Sequence, residues 1–82
     1  MEITYDQGKQ LSNIEKHGLD FADLDLDFFE TAIVRKSHSG RAIAINEFQG
    51  RLVIVVVFAP LGSEAISIIS MRPASSKERK LL

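Results

Sequence analysis

The chain has no cysteine among its 82 residues, which excludes disulfides and thiolate–zinc centres. It has no glycine-rich loop of the G-x-x-x-x-G-K-[ST] pattern, which argues against nucleotide hydrolysis. Its longest apolar run, Leu52 to Pro60, is far shorter than the roughly 20 residues of a membrane-spanning helix. The opening residues Met1 to Asp6 lack a basic stretch followed by an apolar one, so no secretory signal is expected and the cytoplasm is the expected compartment. Asp23-x-Asp25-x-Asp27 begins like a calcium loop, but Phe28 occupies its glycine position and Val34 its closing glutamate position, which excludes calcium. His17 and His38 have no spacing that suggests a metal pair, so neither a metal nor a cofactor is expected. No serine is arranged with a histidine and an acid in a way that specifies a hydrolytic triad.

What is present reads as one globular domain over residues 1–82, with 45% hydrophobic and 26% charged residues. A chain this short buries only about 60–65% of its unfolded surface, so its core is small and a partner can matter to its stability. The net charge of −1 hides an asymmetry. Residues 1–34 carry eight acids against two bases, and residues 35–82 carry eight bases against three acids. One basic surface can attract a polyanion even when the total is near neutral; alternatively, the acidic block pairs internally with that surface.

Ile3 to Tyr5 suits a short strand, and Asp6 suits the N-cap of a helix over residues 7–17 that Gly18 stops. Leu11 and Ile14 form the narrow apolar stripe of that helix, while Lys9, Asn13 and Lys16 share a neighbouring polar face. Asp23 to Asp27 alternates like a strand, but Asp20 can cap a second helix, the preferred reading, with Phe21, Leu24 and Phe28 recurring at helical spacing. Strands are expected over Thr31–Arg35, Arg41–Phe48, Arg51–Phe58 and Glu64–Arg72, with turns at Gln49-Gly50 and Ala59–Gly62. Leu52–Phe58, apolar throughout, should be the central strand, buried on both faces. Ser75 or Ser76 can cap a terminal helix over Lys77–Leu82. The expected fold is α+β: a mostly antiparallel sheet of four to five strands, two N-terminal helices and a short C-terminal helix.

The candidate functional residues are cations held at the two ends of the chain. Lys9, Lys16 and His17 lie on the first helix; Arg72, Lys77 and Arg79 lie near the C-terminus; Arg41 and Arg51 open two strands. Several cations with one imidazole and no metal are suited to phosphodiesters, which points to RNA. Cleavage needs a base for the ribose 2′-OH, cations for the phosphate charge that develops, and an acid for the leaving 5′-oxygen. His17 can serve as acid, base or cationic contact, or simply as a cation favoured by a helix C-terminus. Lys9 and Lys16 can also be plain solvated charges. Arg72 sits at a strand end, where it can grip phosphate bidentately or form a salt bridge with the acidic N-terminal half.

The run Tyr5-Asp6-x-x-Lys9-x-x-x-Asn13-x-x-Lys16-His17-Gly18-x-x-Phe21 resembles the opening signature of the BrnT toxin family, W-D-x-x-K-x-x-x-N-x-x-K-H-G-[VI]-x-F. The tail from Ile66 through Arg72-x-Ala74-x-x-x-Glu78-Arg79 resembles the same family's ending, I-R-I-I-S-A-R-x-A-x-x-x-E-R. Tyr5 stands where the family usually has tryptophan, and the loop around His38–Gly40 is shorter and lacks the glutamate that usually precedes the Arg41 position. The resemblance implies a RelE-like endoribonuclease toxin of a bacterial type II toxin–antitoxin pair that cuts RNA and stops translation. It implies a BrnA-like ribbon-helix-helix antitoxin, contact with operator DNA only through that antitoxin, and a homodimer or a toxin–antitoxin heterotetramer. By matching position it makes Lys9, Lys16, His17, Arg41, Arg72 and Arg79 candidate active-site or RNA-contact residues. Of these His17, Arg72, Lys16 and Arg41 are the catalytic candidates, and Lys9 and Arg79, joined by the basic residues Arg51 and Lys77, are the candidate RNA contacts. The alternative is a catalytically degenerate antitoxin partner. On the first reading, Arg72→Ala abolishes growth arrest and leaves the fold intact.

Overall fold

Alternating side chains in the β segments give the sheet two distinct faces, and each face has a different use. The computed structural model describes residues 1–82. In chain order the elements are β1 (Glu2–Tyr5), α1 (Gln7–His17), a 3₁₀ turn (Phe21–Asp23), α2 (Leu26–Thr31), β2 (Ile33–Lys36), β3 (Ala42–Phe48), β4 (Leu52–Leu61), β5 (Ala65–Pro73) and α3 (Ser76–Arg79). They form one five-stranded sheet of order β1-β5-β4-β3-β2, with β1 and β5 parallel and every other pair antiparallel. The α+β architecture and the mostly antiparallel sheet are as expected, and β4 is its central strand.

Ala44, Phe48, Ile54, Val56, Phe58, Ile66, Ile68 and Met71 point to one face, where Phe21, Leu24 and Phe28 close over them. We call this the helix face. Phe28 packs edge-on against both Phe29 and Phe48, and Asn46 donates to the Phe28 carbonyl at 3.1 Å, which ties α2 to β3. Val55 and Ile45 are also fully buried but project to the opposite, open face, so β4 is covered on both sides. On the open face Ile33, Ile45, Val55 and Arg72 form one cross-strand row; Arg35, Ile43, Val57 and Ser70 form the next.

Several boundaries differ from expectation. The second helix is broken in two. Asp20 caps the 3₁₀ turn as expected, but Leu24 is extended and Asp25 then caps α2 by accepting from the Phe28 N–H at 2.9 Å. A second capping aspartate offers the backbone a fresh start, which helical spacing of Phe21, Leu24 and Phe28 does not reveal. Thr31 belongs to α2, so β2 begins at Ile33. β4 runs on through Pro60 to Leu61, and the turn moves to residues 62–64. β3 begins at Ala42, opposite Phe58, so Pro60 lies where β4 has an open side, a position in which proline is tolerated. The terminal helix is only Ser76–Arg79, capped by Ser75 with Glu78 completing a capping box.

The largest departure concerns α1. Leu11 is 59% exposed and Ile14 is 37% exposed, so the apolar stripe faces outward. The face turned to the sheet is polar, and at its centre is Asn13, the one buried polar residue of the chain. Its Oδ1 accepts the Met71 N–H at 3.0 Å, and its Nδ2 donates to the Leu19 carbonyl at 3.0 Å. β1 stops pairing with β5 at Tyr5–Ile68, and beyond that point the β5 edge is left to α1. A buried strand N–H without an acceptor is costly, and Asn13 meets that requirement with a side chain. Asn13→Ala is expected to cost about 2–4 kcal/mol of unfolding free energy by leaving Met71 N–H and Leu19 C=O unpaired. Leu11→Ala should change it by no more than about 0.5 kcal/mol. Urea titration of the two variants checks this ordering, and a Leu11 cost equal to that of Asn13 would contradict it.

Candidate nucleic-acid interface

α1 is well delimited. The Asp6 carboxylate accepts from the Lys9 N–H at 3.0 Å, and Gly18, at φ 68°, takes the left-handed conformation that ends the helix. Lys16 and His17 fill the last turn, where helix dipole and cation agree. Because Asn13 anchors the helix to β5, residues three and four places away on either side are brought over the strand. Lys9, Ser12, Asn13, Lys16, His17, Ile69 and Ser70 line a cleft of about 220 Å³.

The β5 side of this cleft depends on a bulge. Phe58 pairs with Ile68 and Val57 with Ser70, so Ile69 is an extra residue on β5. The irregularity falls where β1 pairing ends and α1 begins. Bulges re-aim side chains in this manner, and here Ile69 and Ser70 are turned toward the helical cations.

Arg72 is two residues from Ser70 on the same face. Its guanidinium donates to both Glu78 carboxylate oxygens, each at 2.8 Å. This is the chain's single ion pair. Arg72 therefore does not form the expected salt bridge with the acidic N-terminal half; its partner is in α3. None of the eight acids of residues 1–34 pairs with a basic side chain. Glu78 also accepts the Ser75 N–H at 2.8 Å. The bidentate bond from Arg72, followed by that Ser75 bond, pulls the Glu78 carboxyl down to about 2. The same contact raises Arg72 further above its ordinary value, against a smaller opposing effect of burial.

The other candidate residues are spread more widely. Arg41 immediately precedes β3, two residues before Ile43, and its carbonyl accepts the Ser37 N–H at 2.9 Å. From strand spacings, its Cα lies roughly 17 Å from that of Arg72. Arg51 is in the β3–β4 turn, where Gln49 and Gly50 both have positive φ. Lys77 is exposed on α3, and Arg79 donates to the Ser76 hydroxyl at 3.3 Å. Lys9, Lys16 and His17 are thus brought together, with Arg72 close by, while Arg41, Arg51, Lys77 and Arg79 are not part of that cleft.

Two features were not found from sequence. The capping pattern Ser75-x-x-Glu78 was legible and would have flagged Glu78, although not its grip on Arg72. Ser70 and Ile69 enter the cleft only because of the bulge, for which the sequence has no clear signal.

Comparison with known proteins agrees across the chain. The family model described as "Ribonuclease toxin, BrnT, of type II toxin-antitoxin system" matches residues 5–78. The 1.1 Å crystal structure of the Brucella abortus ribonuclease toxin BrnT is 53% identical and superposes with a TM-score of 0.88, covering 93% of this chain and 99% of that one. No curated protein matches.

The Arg72–Glu78 pair carries a pH dependence. A carboxylate whose folded value lies near 2 contributes stability that is complete above its ordinary value of 4.5 and is lost as pH falls from there toward 2. Since Arg72 is 40% exposed, the contribution is discounted for solvent screening to about 1 kcal/mol. Stability measured from pH 6 to pH 2 should fall more steeply in the wild-type chain than in Glu78→Gln. Parallel curves would show that the pair contributes nothing.

Proposed function

The chain belongs to the BrnT ribonuclease toxin family of type II toxin–antitoxin systems, and from that premise we propose that it is a metal-independent endoribonuclease acting on RNA in the cytoplasm. The observation that carries the reading is the cleft in which Lys9, Lys16 and His17 meet Ser70, two residues along β5 from Arg72. In the proposed reaction a base in this cleft, His17 or a lysine, takes the ribose 2′-OH proton. The 2′-oxygen attacks phosphorus, the bond to the 5′-oxygen breaks, and that oxygen receives a proton as it leaves. The products are a 2′,3′-cyclic phosphate and a free 5′-hydroxyl. Lysine and arginine charges offset the negative charge that develops on phosphorus. Arg72 serves here once phosphate displaces Glu78, and Arg41, Arg51, Lys77 and Arg79 contact RNA outside the cleft.

The proposal extends to a RelE-like arrangement, to arrest of translation, and to neutralisation by a BrnA-like ribbon-helix-helix antitoxin. That antitoxin carries the complex to operator DNA, and assembly as a heterotetramer or homodimer can use the short edge strands β1 and β2. One observation favours a second reading, a degenerate antitoxin partner: the Arg72 guanidinium is already occupied by a carboxylate.

Arg72→Ala is not the clean test that the sequence suggests, because it also strips α3 of its anchor. Lys16 and His17 are exposed and free of ion pairs, so their alanine variants keep the fold. Induced expression of the wild-type chain should arrest growth and deplete RNA. Both effects should be lost in His17→Ala, with cleavage in vitro reduced by about 10²–10⁴ and thermal stability nearly unchanged. Undiminished toxicity of both variants would remove the cleft from the mechanism, and a folded but harmless wild type would favour the partner reading. Cleavage should also continue at full rate in excess EDTA, and its loss there would contradict metal independence.

A further inference from the structure

The open face holds a second group of cations on the side away from the cleft. Arg35, on β2, pairs across the ladder with Ile43 on β3. Arg41 precedes Ile43 by two residues, and the Ser37 N–H bond to its carbonyl continues the ladder, so both arginines belong to the same face. Diagonal neighbours of this kind stand about 7–8 Å apart. Neither has a carboxylate partner. Arg35 makes a single weak contact, from Nη1 to the Val34 carbonyl at 3.2 Å, and is exposed. Two adjacent unpaired guanidinium groups repel one another unless an anion lies between them.

A single row connects this pair to the cleft: Arg35, Ile43, Val57, Ser70. It crosses three strand spacings, roughly 14 Å, which is longer than one nucleotide can bridge. The middle of the row is half-buried and apolar, Ile43 and Val57, with cations at both ends. A single strand can meet that pattern by holding a phosphate at each end and laying sugar or base on the apolar floor. A duplex, with its bases stacked inside, cannot.

We propose that Arg35, with Arg41, forms a phosphate subsite for single-stranded RNA several nucleotides away from the scissile bond, so that the substrate crosses β5, β4 and β3 and ends on β2. This rests on the ribonuclease reading above. The competing role for Arg35 is a charge that keeps edge strand β2 from pairing with another chain. Lys36 separates the two roles. It sits on the same edge strand, opposite Ala42, and projects to the helix face.

The test uses the wild-type chain with fluorescent 2′-O-methyl RNA, which lacks the attacking hydroxyl and stays uncut, as a hexanucleotide and a dinucleotide. The hexanucleotide should bind more tightly than the dinucleotide. Arg35→Ala should weaken the hexanucleotide about 5–10-fold, lower its salt dependence by about 0.7 in the log–log slope, and leave the dinucleotide unchanged. Arg35→Gln should behave as Arg35→Ala does, and Lys36→Ala should leave both ligands unaffected. Equal losses for the Arg35 and Lys36 variants, or none for Arg35, overturn the subsite while the ribonuclease reading stands. Failure of the wild-type chain to bind either RNA overturns both.

Discussion

Asn13 holds the molecule in register. On the β4 side β5 is paired from end to end except at the Ile69 bulge, but on the other side β1 reaches only as far as Ile68. The Met71 N–H beyond that point needs an acceptor in a place from which water is excluded. One amide side chain supplies it and at the same time binds the Leu19 carbonyl, which fixes the loop leaving α1. Both ends of the amide are used, so neither a carboxylate nor an aliphatic side chain can replace it without an orphaned group. The position of every candidate site residue on α1 follows from this anchor.

The arrangement also explains why a helix with so little apolar surface is stable here. α1 is attached through polar contacts and good capping, and the fold's apolar burial is concentrated on the other side of the sheet, under the aromatic residues of the 3₁₀ turn and α2. The helix face supplies cohesion. The open face is thereby released from a purely structural role, keeping only enough aliphatic cover, Ile45 and Val55, to bury the middle of β4 and β3. Arginines can occupy the remaining positions on that face without disturbing the core. Glu78 links this face to the C-terminal segment, and the same carboxylate completes the cap of α3, so one residue organises both the helix and Arg72.

Much of the fold was legible in the sequence, and the reasons differ by element. The apolar run Leu52–Phe58 identified the central strand because only a strand covered on both faces tolerates such a sequence. Asp6 and Gly18 marked the limits of α1 because capping is local chemistry. What depends on pairing was not legible. Asn13 looked like one more polar residue on a solvated face because its partner, Met71, is 58 residues away. The outward direction of the Leu11 and Ile14 stripe was not legible for the same reason: helical spacing reports a face, and the chain's remaining parts decide which face turns inward. In the site, Lys9, Lys16 and His17 were found through their spacing and their likeness to a family signature, whereas the company of Ser70 and the pairing of Arg72 needed the β5 bulge and the α3 cap to be seen.

The separation of the two sheet faces has a kinetic consequence. Asp23, Asp25 and Asp27 gather around a hollow on the helix side of the sheet near Asn46 and Phe48, and no basic side chain neutralises them. Arg35, Arg41 and Arg72 belong to the other side. Within a net charge of only −1, these acids and these arginines are therefore held on opposite sides of the sheet. For the proposed RNA substrate, a charge distribution of that kind favours approach to the arginine-bearing face. Encounter is thus oriented at low ionic strength and becomes random as salt shortens the range of the field to about 10 Å at 0.1 M.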